Sequence, residues 1–522
     1  MTESETQAPG QELPASTYLP HVARGALINF SGIFARMLLV YAYTFLLARM
    51  LPVSQVGQYF LMVTIISLVG LAAVVGLDYG VIRFVALYTG EGKLVLARKI
   101  LATGLLAGVP VGLIFAAAVA WQAPFISNHF LGSANGAVSA IRIFALAIPL
   151  LVAARLFNAT TQGMHKMQYQ VYARDMGEQV LKVGFSAVAL MLGAGLFGVV
   201  WANVAALVLA TVLSFYFAWL VLKRKRNHVH GASIARRQQA SLESPSRAML
   251  GYSYPLALSN ILTALWLQID TLMLGLMGAT QQVGYYGVAL KVSLVGAKII
   301  TAFAVVFTPV IADLWNRGKV EELQQLYTTV SRWIFMLSFP LFIIMLLYSD
   351  AMMKIFGKGF IVSSGALVIL AVGQLMSAST GAAGIMVLMS GRSKLELMNV
   401  SVTLVLDALL CYLLIPRYGV NGAAIANMAS LGGVSIMRIV EIKLIMNMFA
   451  YDRSYLKPVL AGLTSAAAAL LLSKLLIVSI GFKQLAVLAL AVVFFYVLTI
   501  IILGPDKHDM VILKQFKARV IA

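Results

Sequence analysis

The sequence predicts an all-α integral membrane protein of about fourteen transmembrane helices, organised as two parallel six-helix lobes followed by two further helices. Three observations predict it. The 522 residues are 61% hydrophobic and 11% charged, with a mean hydropathy of +0.90. Apolar stretches recur at the length of a bilayer crossing, and two short motifs recur at nearly one offset.

Such a composition needs lipid as solvent and leaves no room for a large water-soluble domain. The single cysteine, Cys411, lies in an apolar run and excludes an intrachain disulfide and a cysteine-built zinc or iron–sulfur site. Residues 1–24 are polar and lack the basic start and apolar core of a cleaved signal, so they read as a disordered cytoplasmic lead-in.

A helix crossing a ~30 Å hydrocarbon core needs about 20 apolar residues. Stretches of that kind lie near 25–50, 58–80, 100–121, 138–157, 173–193, 196–222, 253–277, 285–312, 329–349, 363–389, 396–415, 420–446, 456–478 and 484–504. An even number of crossings puts both termini on one side. Lys and Arg collect in alternate loops, as the positive-inside rule requires if the termini are cytoplasmic. Only Lys354, Lys358, Arg417 and Lys483 fall in loops on the other side. The strongest basic segment, KRKRNHVHGASIARRQQASLESPSR at 223–247, reads as a topology anchor and solvated linker, with anionic lipid headgroups as its alternative partner. These loops account for the net charge of +20 without nucleic-acid binding.

The internal repeat sets the architecture. Gln55, Val56, Gly57 and Tyr59 match Gln282, Val283, Gly284 and Tyr286 at an offset of 227 residues. Gly198, Ala202 and Asn203 match Gly422, Ala426 and Asn427 at an offset of 224. Two unrelated windows at nearly one offset predict a duplicated six-helix unit with both copies in the same orientation. The expected divisions are a lead-in at 1–24, an N-lobe at 25–222, a basic linker at 223–250, a C-lobe at 251–447, helices thirteen and fourteen at 448–504, and a cytoplasmic tail at 505–522. Gly57 and Gly284 are expected in short periplasmic turns, where glycine supplies positive φ. Substrate sites commonly lie between such repeats.

A charge at mid-span costs roughly 2.5–3.5 kcal/mol on insertion scales, so ionisable residues there usually face a wet cavity or a partner. Arg36 sits at the middle of the first span. Lys291 and Lys298, seven residues apart on the eighth, share one face of a straight helix. Together these three can line a cationic cavity; the alternatives are snorkelling for Lys291 and structural pairing for Arg36 and Lys298, with Asp270 as the obvious partner. Asp270 and Asp407 are each placed either in ion coupling or in a helix-to-helix ion pair. Glu178 and Lys182 lie four apart, Arg438 and Glu441 three apart, spacings at which opposite charges pair on one helix. No phosphate-cradling G-x-x-x-x-G-K-[ST] loop and no H-E-x-x-H pair is present, so the sequence offers neither nucleotide-driven pumping nor a zinc site, and no cofactor is expected.

The runs GALINFSGIFARMLLVYAYTFLLARMLPVSQVGQY from Gly25, GLDYGVIRF from Gly76, PLALSNILTALWLQIDTLMLGLMGATQQVGYYGVALKV from Pro255 and IPRYGVNGAAIAN from Ile415 resemble polysaccharide flippases of the multidrug/oligosaccharidyl-lipid/polysaccharide (MOP) superfamily. The resemblance covers residues 25 to about 450. It implies two lobes around a central cavity that opens alternately to either side, with Arg36, Lys291 and Lys298 in the cationic lining. It implies as cargo an undecaprenyl-diphosphate-linked oligosaccharide, in the inner membrane of a bacterium, with the polymerase and glycosyltransferases of the same pathway as partners. The extra pair at 456–504 would form a groove for the polyprenyl tail. A cation-coupled drug exporter and a lipid II flippase are the alternatives within the superfamily. A membrane enzyme would need a periplasmic loop with catalytic residues, and the longest such loop, near 122–137, holds no Asp, Glu, Lys or Arg.

Overall fold

The computed structural model describes residues 19–132, 136–223, 245–278, 280–475 and 482–504. The predicted lead-in up to residue 18, the linker from 224 to 244 and the tail from 505 lie outside them. All regular structure among the described residues is helical.

The first half comprises α1 (Leu19–Met50), α2 (Val53–Val74), α3 (Leu77–Gly90), α4 (Leu94–Trp121), α5 (Ala123–Phe130), α6 (Ala137–Ala145), α7 (Ala147–Gly163), α8 (Met167–Gln170), a π-helical turn (Val171–Gly177), α9 (Glu178–Met191) and α10 (Gly195–Lys223). The second comprises α11 (Pro245–Trp266), α12 (Ile269–Met277), α13 (Thr280–Ser293), α14 (Val295–Asn316), α15 (Val320–Phe356), α16 (Ser364–Thr380), α17 (Ala383–Met389) and α18 (Ser393–Met446). The last two helices are α19 (Leu456–Leu475) and α20 (Phe482–Leu503).

Within the described residues every predicted stretch falls on helix, but several are broken. The second predicted stretch ends where Val75 and Gly76 turn left-handed, at φ 51° and 70°, separating α2 from α3. Helices α11 and α12 meet at 53°, α13 and α14 at 44°. Helix α18, with 54 residues, would measure ~80 Å if straight, more than twice the hydrocarbon thickness. Gly419 breaks it at φ 54° and ψ −124°, just after Pro416, so that it forms the two arms predicted at 396–415 and 420–446. By length and apolar composition, nine helices among the described residues can cross a membrane, or eleven if each bent pair is one crossing. This differs from the predicted fourteen in three places: the α18 hairpin counts once, the stretch predicted at 173–193 carries Arg174, Asp175, Glu178 and Lys182, and α1, predicted as the first crossing, is not among those counted.

The two halves meet through their repeated motifs. Gly57 and Gly284 are not in turns, contrary to expectation; they lie inside α2 and α13, and neither has a positive φ. Glycine is required there for close approach. A Cβ on Gly57 would overlap the carbonyl oxygen of Thr280, and one on Gly284 would overlap that of Val53. A second contact lies beyond the α2–α3 break, where Gly76 and Gly80 press against Met249, Ser253 and Ala257 of α11. Gly57→Val should therefore lower the melting temperature of the purified chain by several degrees, an overpacking penalty of about 1–3 kcal/mol. Gly184→Ala, at a site with nothing within 4 Å, should not.

Helices α19 and α20 pack against α15, burying Ile343, Tyr348, Ala469, Leu485, Leu488 and Val492. The Tyr348 hydroxyl donates to the Ala469 carbonyl at 3.2 Å, and a Cβ on Gly462 would overlap the Phe339 ring. Their other faces are apolar and open, with Leu490, Ile501 and Ile502 about 70% exposed, as a lipid-facing surface requires.

Candidate functional site

Three clusters of polar side chains occupy the membrane-embedded interior. The first is cationic and lies where α1 meets α13 and α14. Lys291 lies in the last turn of α13 and Lys298 in the first turn of α14, so the 44° bend separates two residues expected on one straight helix. They nevertheless stay within electrostatic reach: the charges of Lys298, Arg36 and Lys182 all act on Lys291. Tyr41 of α1 donates to the Lys291 carbonyl at 2.8 Å and ties the two halves together beside them. Neither lysine forms an ion pair or side-chain hydrogen bond among the described residues. Arg36 does, though not with Asp270: its partner at 2.8 Å is Asp175 in the π-helical turn.

That turn has a local cause. Gly177 lies with its Cα against the carbonyl of Tyr172, five residues earlier, where a Cβ would come within 2.6 Å. Glycine thus permits the wider turn, a feature common at functional sites.

The second cluster is acidic and lies inside the C-terminal half. Asp270 of α12 and Asp407 of α18 are 1% and 0% exposed. Their carboxylate oxygens and the Cys411 sulfur all lie within 4.8 Å of one another. Tyr286 donates to Asp270 at 2.7 Å and Asn427 at 2.8 Å, while Ser430 donates to Asp407 at 3.0 Å. Among the described residues no cation pairs with either carboxylate, so the helix-to-helix ion pair is not what the geometry brings together. Two adjacent carboxylates in a dry interior cannot both stand bare and ionised; a shared proton or a bound cation must relieve them. The Asn427 side-chain oxygen is buried with no hydrogen-bond partner, a spare acceptor beside the pair.

The third cluster is the counterpart of the second in the N-terminal half. Tyr59 donates to the Asn203 side-chain oxygen at 3.0 Å, and Asn203 donates to the Tyr43 hydroxyl at 2.7 Å. Tyr59 and Asn203 are the repeat mates of Tyr286 and Asn427, and Tyr43 stands 227 residues before Asp270. The duplication has therefore kept the tyrosine–asparagine scaffold while placing a neutral phenol in one half and a carboxylate in the other. Asn203→Ala strips hydrogen bonds from two buried tyrosines and should destabilise the chain by roughly 1–3 kcal/mol, read as a fall in melting temperature.

Glu178 and Lys182 pair as expected, at 2.6 Å. Arg438 and Glu441 do not. Arg438 pairs with Glu396 between the two arms of α18, and Glu441 accepts from Asn399 at 2.9 Å. Arg155, Arg174, Asp175 and Asp78 escaped sequence reading, although a pair of adjacent charges at 174–175 inside a predicted span was the visible signal.

The fold and these clusters define a class: multi-pass membrane transporters of the MOP architecture, with two pseudo-symmetric halves and ionisable side chains between and within them. A family model described as polysaccharide biosynthesis protein matches residues 22–315, more than half of the chain, and the chain belongs to that family. A second model, MatE, matches residues 255–413. A curated relative, the "Probable low-salt glycan biosynthesis flippase Agl15" of Haloferax volcanii, is 23% identical over 415 residues, covering 78% of this chain and 81% of its own. Among solved structures, a lipid II flippase MurJ in an inward closed conformation superposes with a TM-score of 0.71 at 12% identity, over 91% of this chain and 98% of that one. An inward-facing multidrug resistance MATE transporter superposes with a TM-score of 0.64 at 19% identity, over 81% and 98%. These superpositions establish the shared fold.

Proposed function

We propose that the chain is a flippase that moves undecaprenyl-diphosphate-linked oligosaccharide repeat units from the cytoplasmic to the outer leaflet of a bacterial inner membrane, for surface polysaccharide synthesis, by alternating access. The observation that carries this reading is the pair Lys291 and Lys298, two cations without acidic partners at the junction of the halves, beside Arg36. Unpaired cations inside a membrane protein call for an anionic cargo, and a diphosphate supplies it. In an inside-negative membrane each elementary charge moved outward gains roughly 2.3 kcal/mol per 100 mV, so the anionic head group is driven in the required direction. The open apolar faces of α19 and α20 suit a polyprenyl tail, and the names of the Agl15 and MurJ relatives agree with a lipid-linked glycan. The pathway's glycosyltransferases and polymerase are the expected partners.

The same reading assigns Asp270 and Asp407 to ion coupling, a proton or a small monovalent cation neutralising the pair in one state of the cycle. This acidic cluster and the MatE match favour a second reading, a cation-coupled drug exporter. Deletion of the gene separates the two. Loss of surface polysaccharide at unchanged drug tolerance is the expected result. Drug hypersensitivity with intact surface polysaccharide would move the chain to the exporters.

A further inference from the structure

A cavity of about 120 Å³ lies wholly within the N-terminal half, apart from the cationic site between the halves. Its walls come from α2, α7, α10 and the π-helical turn with the start of α9, including Arg155, Asn158, Arg174, Glu178 and Ser214. The charges around it do not balance. Arg36 is held by Asp175 at 2.8 Å, Lys182 by Glu178 at 2.6 Å and Arg155 by Asp78 at 3.6 Å. Arg174, within electrostatic reach of Arg36, Arg155, Asp175 and Glu178, is left over with no hydrogen bond or ion pair among the described residues. Four cations thus face three carboxylates, and the unmatched one borders the void.

The neutral lining has the same deficit. Asn158 is 3% exposed, and its side-chain amide nitrogen has no partner. Ser214 is 2% exposed, and its hydroxyl makes no hydrogen bond among the described residues. A buried donor left unmade is expensive, and an unpaired guanidinium inside a membrane more so. One ligand answers all three residues: a group with negative charge and several acceptor oxygens. A guanidinium fork binds a tetrahedral oxyanion through two parallel charge-assisted bonds. The volume holds roughly four waters at ~30 Å³ each, or one such oxyanion with residual water.

We propose that this cavity is an anion site taking a single phosphate group, held by Arg174 with Asn158 and Ser214. The site does not rest on the flippase reading, because no residue of the cationic pair between the halves lines it. The phosphate could be free or carried on a prenyl chain, and two probes distinguish the sources.

The full chain, purified into nanodiscs, is titrated at constant ionic strength with inorganic phosphate and with geranyl diphosphate, and its melting temperature is followed. Wild type should be stabilised, with a midpoint at least about ten-fold weaker in Arg174→Gln, as expected for loss of a bidentate charged contact. Without anion, Arg174→Gln should melt no lower than wild type, because it removes an unpaired charge. Asn158→Leu, which keeps every charge but fills the void, should also lose the response, and Lys443→Gln, at an exposed position outside both this cavity and the cationic pair, should keep it. A response to inorganic phosphate that Arg174→Gln weakens identifies a free anion site; a response to geranyl diphosphate alone that Arg174→Gln weakens identifies a lipid-borne phosphate. No stabilisation by either probe, or an undiminished response in both Arg174→Gln and Asn158→Leu, overturns the proposal.

Discussion

Replacing Lys298 and Arg36 together by glutamate should reduce polysaccharide export to the level of a deletion strain, while the protein still reaches the membrane. The effect should be large because it inverts two of the charges at the junction of the halves. Each charge-assisted contact to a phosphate contributes about 1.5–3 kcal/mol, so losing two weakens cargo binding by roughly 100-fold or more. Arg36 also holds Asp175, and its reversal sets two carboxylates together on α1 and the π-helical turn. The gentler pair Lys291→Gln and Lys298→Gln separates binding from folding, since neither lysine has an ion pair or side-chain hydrogen bond to lose among the described residues. Export by that pair should fall at least ten-fold at an unchanged melting temperature. Wild-type export from both double variants would remove the cationic site from the mechanism.

Asp270→Asn combined with Asp407→Asn should uncouple transport from any proton or sodium gradient. An asparagine resembles a protonated aspartate in shape, so the buried network of Tyr286, Asn427, Ser430 and Cys411 can persist without a charge to neutralise. The folded chain should melt no lower than wild type, because no buried carboxylate charge is left to neutralise. A gradient imposed across proteoliposomes should change the transport rate of the wild type and leave that of the double variant unmoved. An equal response in both would make the acidic cluster structural.

The architecture was legible because lipid imposes a strong rule: about 20 apolar residues per crossing, with basic loops on one side. The repeat marks Tyr59 with Tyr286 and Asn203 with Asn427 as equivalent residues. Their role was not legible. Gly57 and Gly284 looked like turn residues, because a sequence reports a glycine without saying whether it serves φ or closeness. Partners were harder still. Spacing along one helix found Glu178 with Lys182, but Arg438 chose Glu396 on the other arm of α18 and Arg36 chose Asp175 in the π-helical turn. Such choices depend on which helix faces pack together, which hydropathy does not encode. The bends at α11–α12 and α13–α14 were equally hidden, as apolar composition runs through both breaks.

Movement of a prenyl-diphosphate-linked oligosaccharide between leaflets can be followed outright. The full chain reconstituted into liposomes loaded with that lipid on the inner leaflet tests it most directly, with glycan exposure followed by an added sugar-binding lectin. Glycan should appear outside at a rate that rises with the amount of protein and with an inside-negative potential, and Lys291→Gln with Lys298→Gln should slow it at least ten-fold. Exposure no faster than in protein-free liposomes, or equally fast in that double variant, would contradict the account.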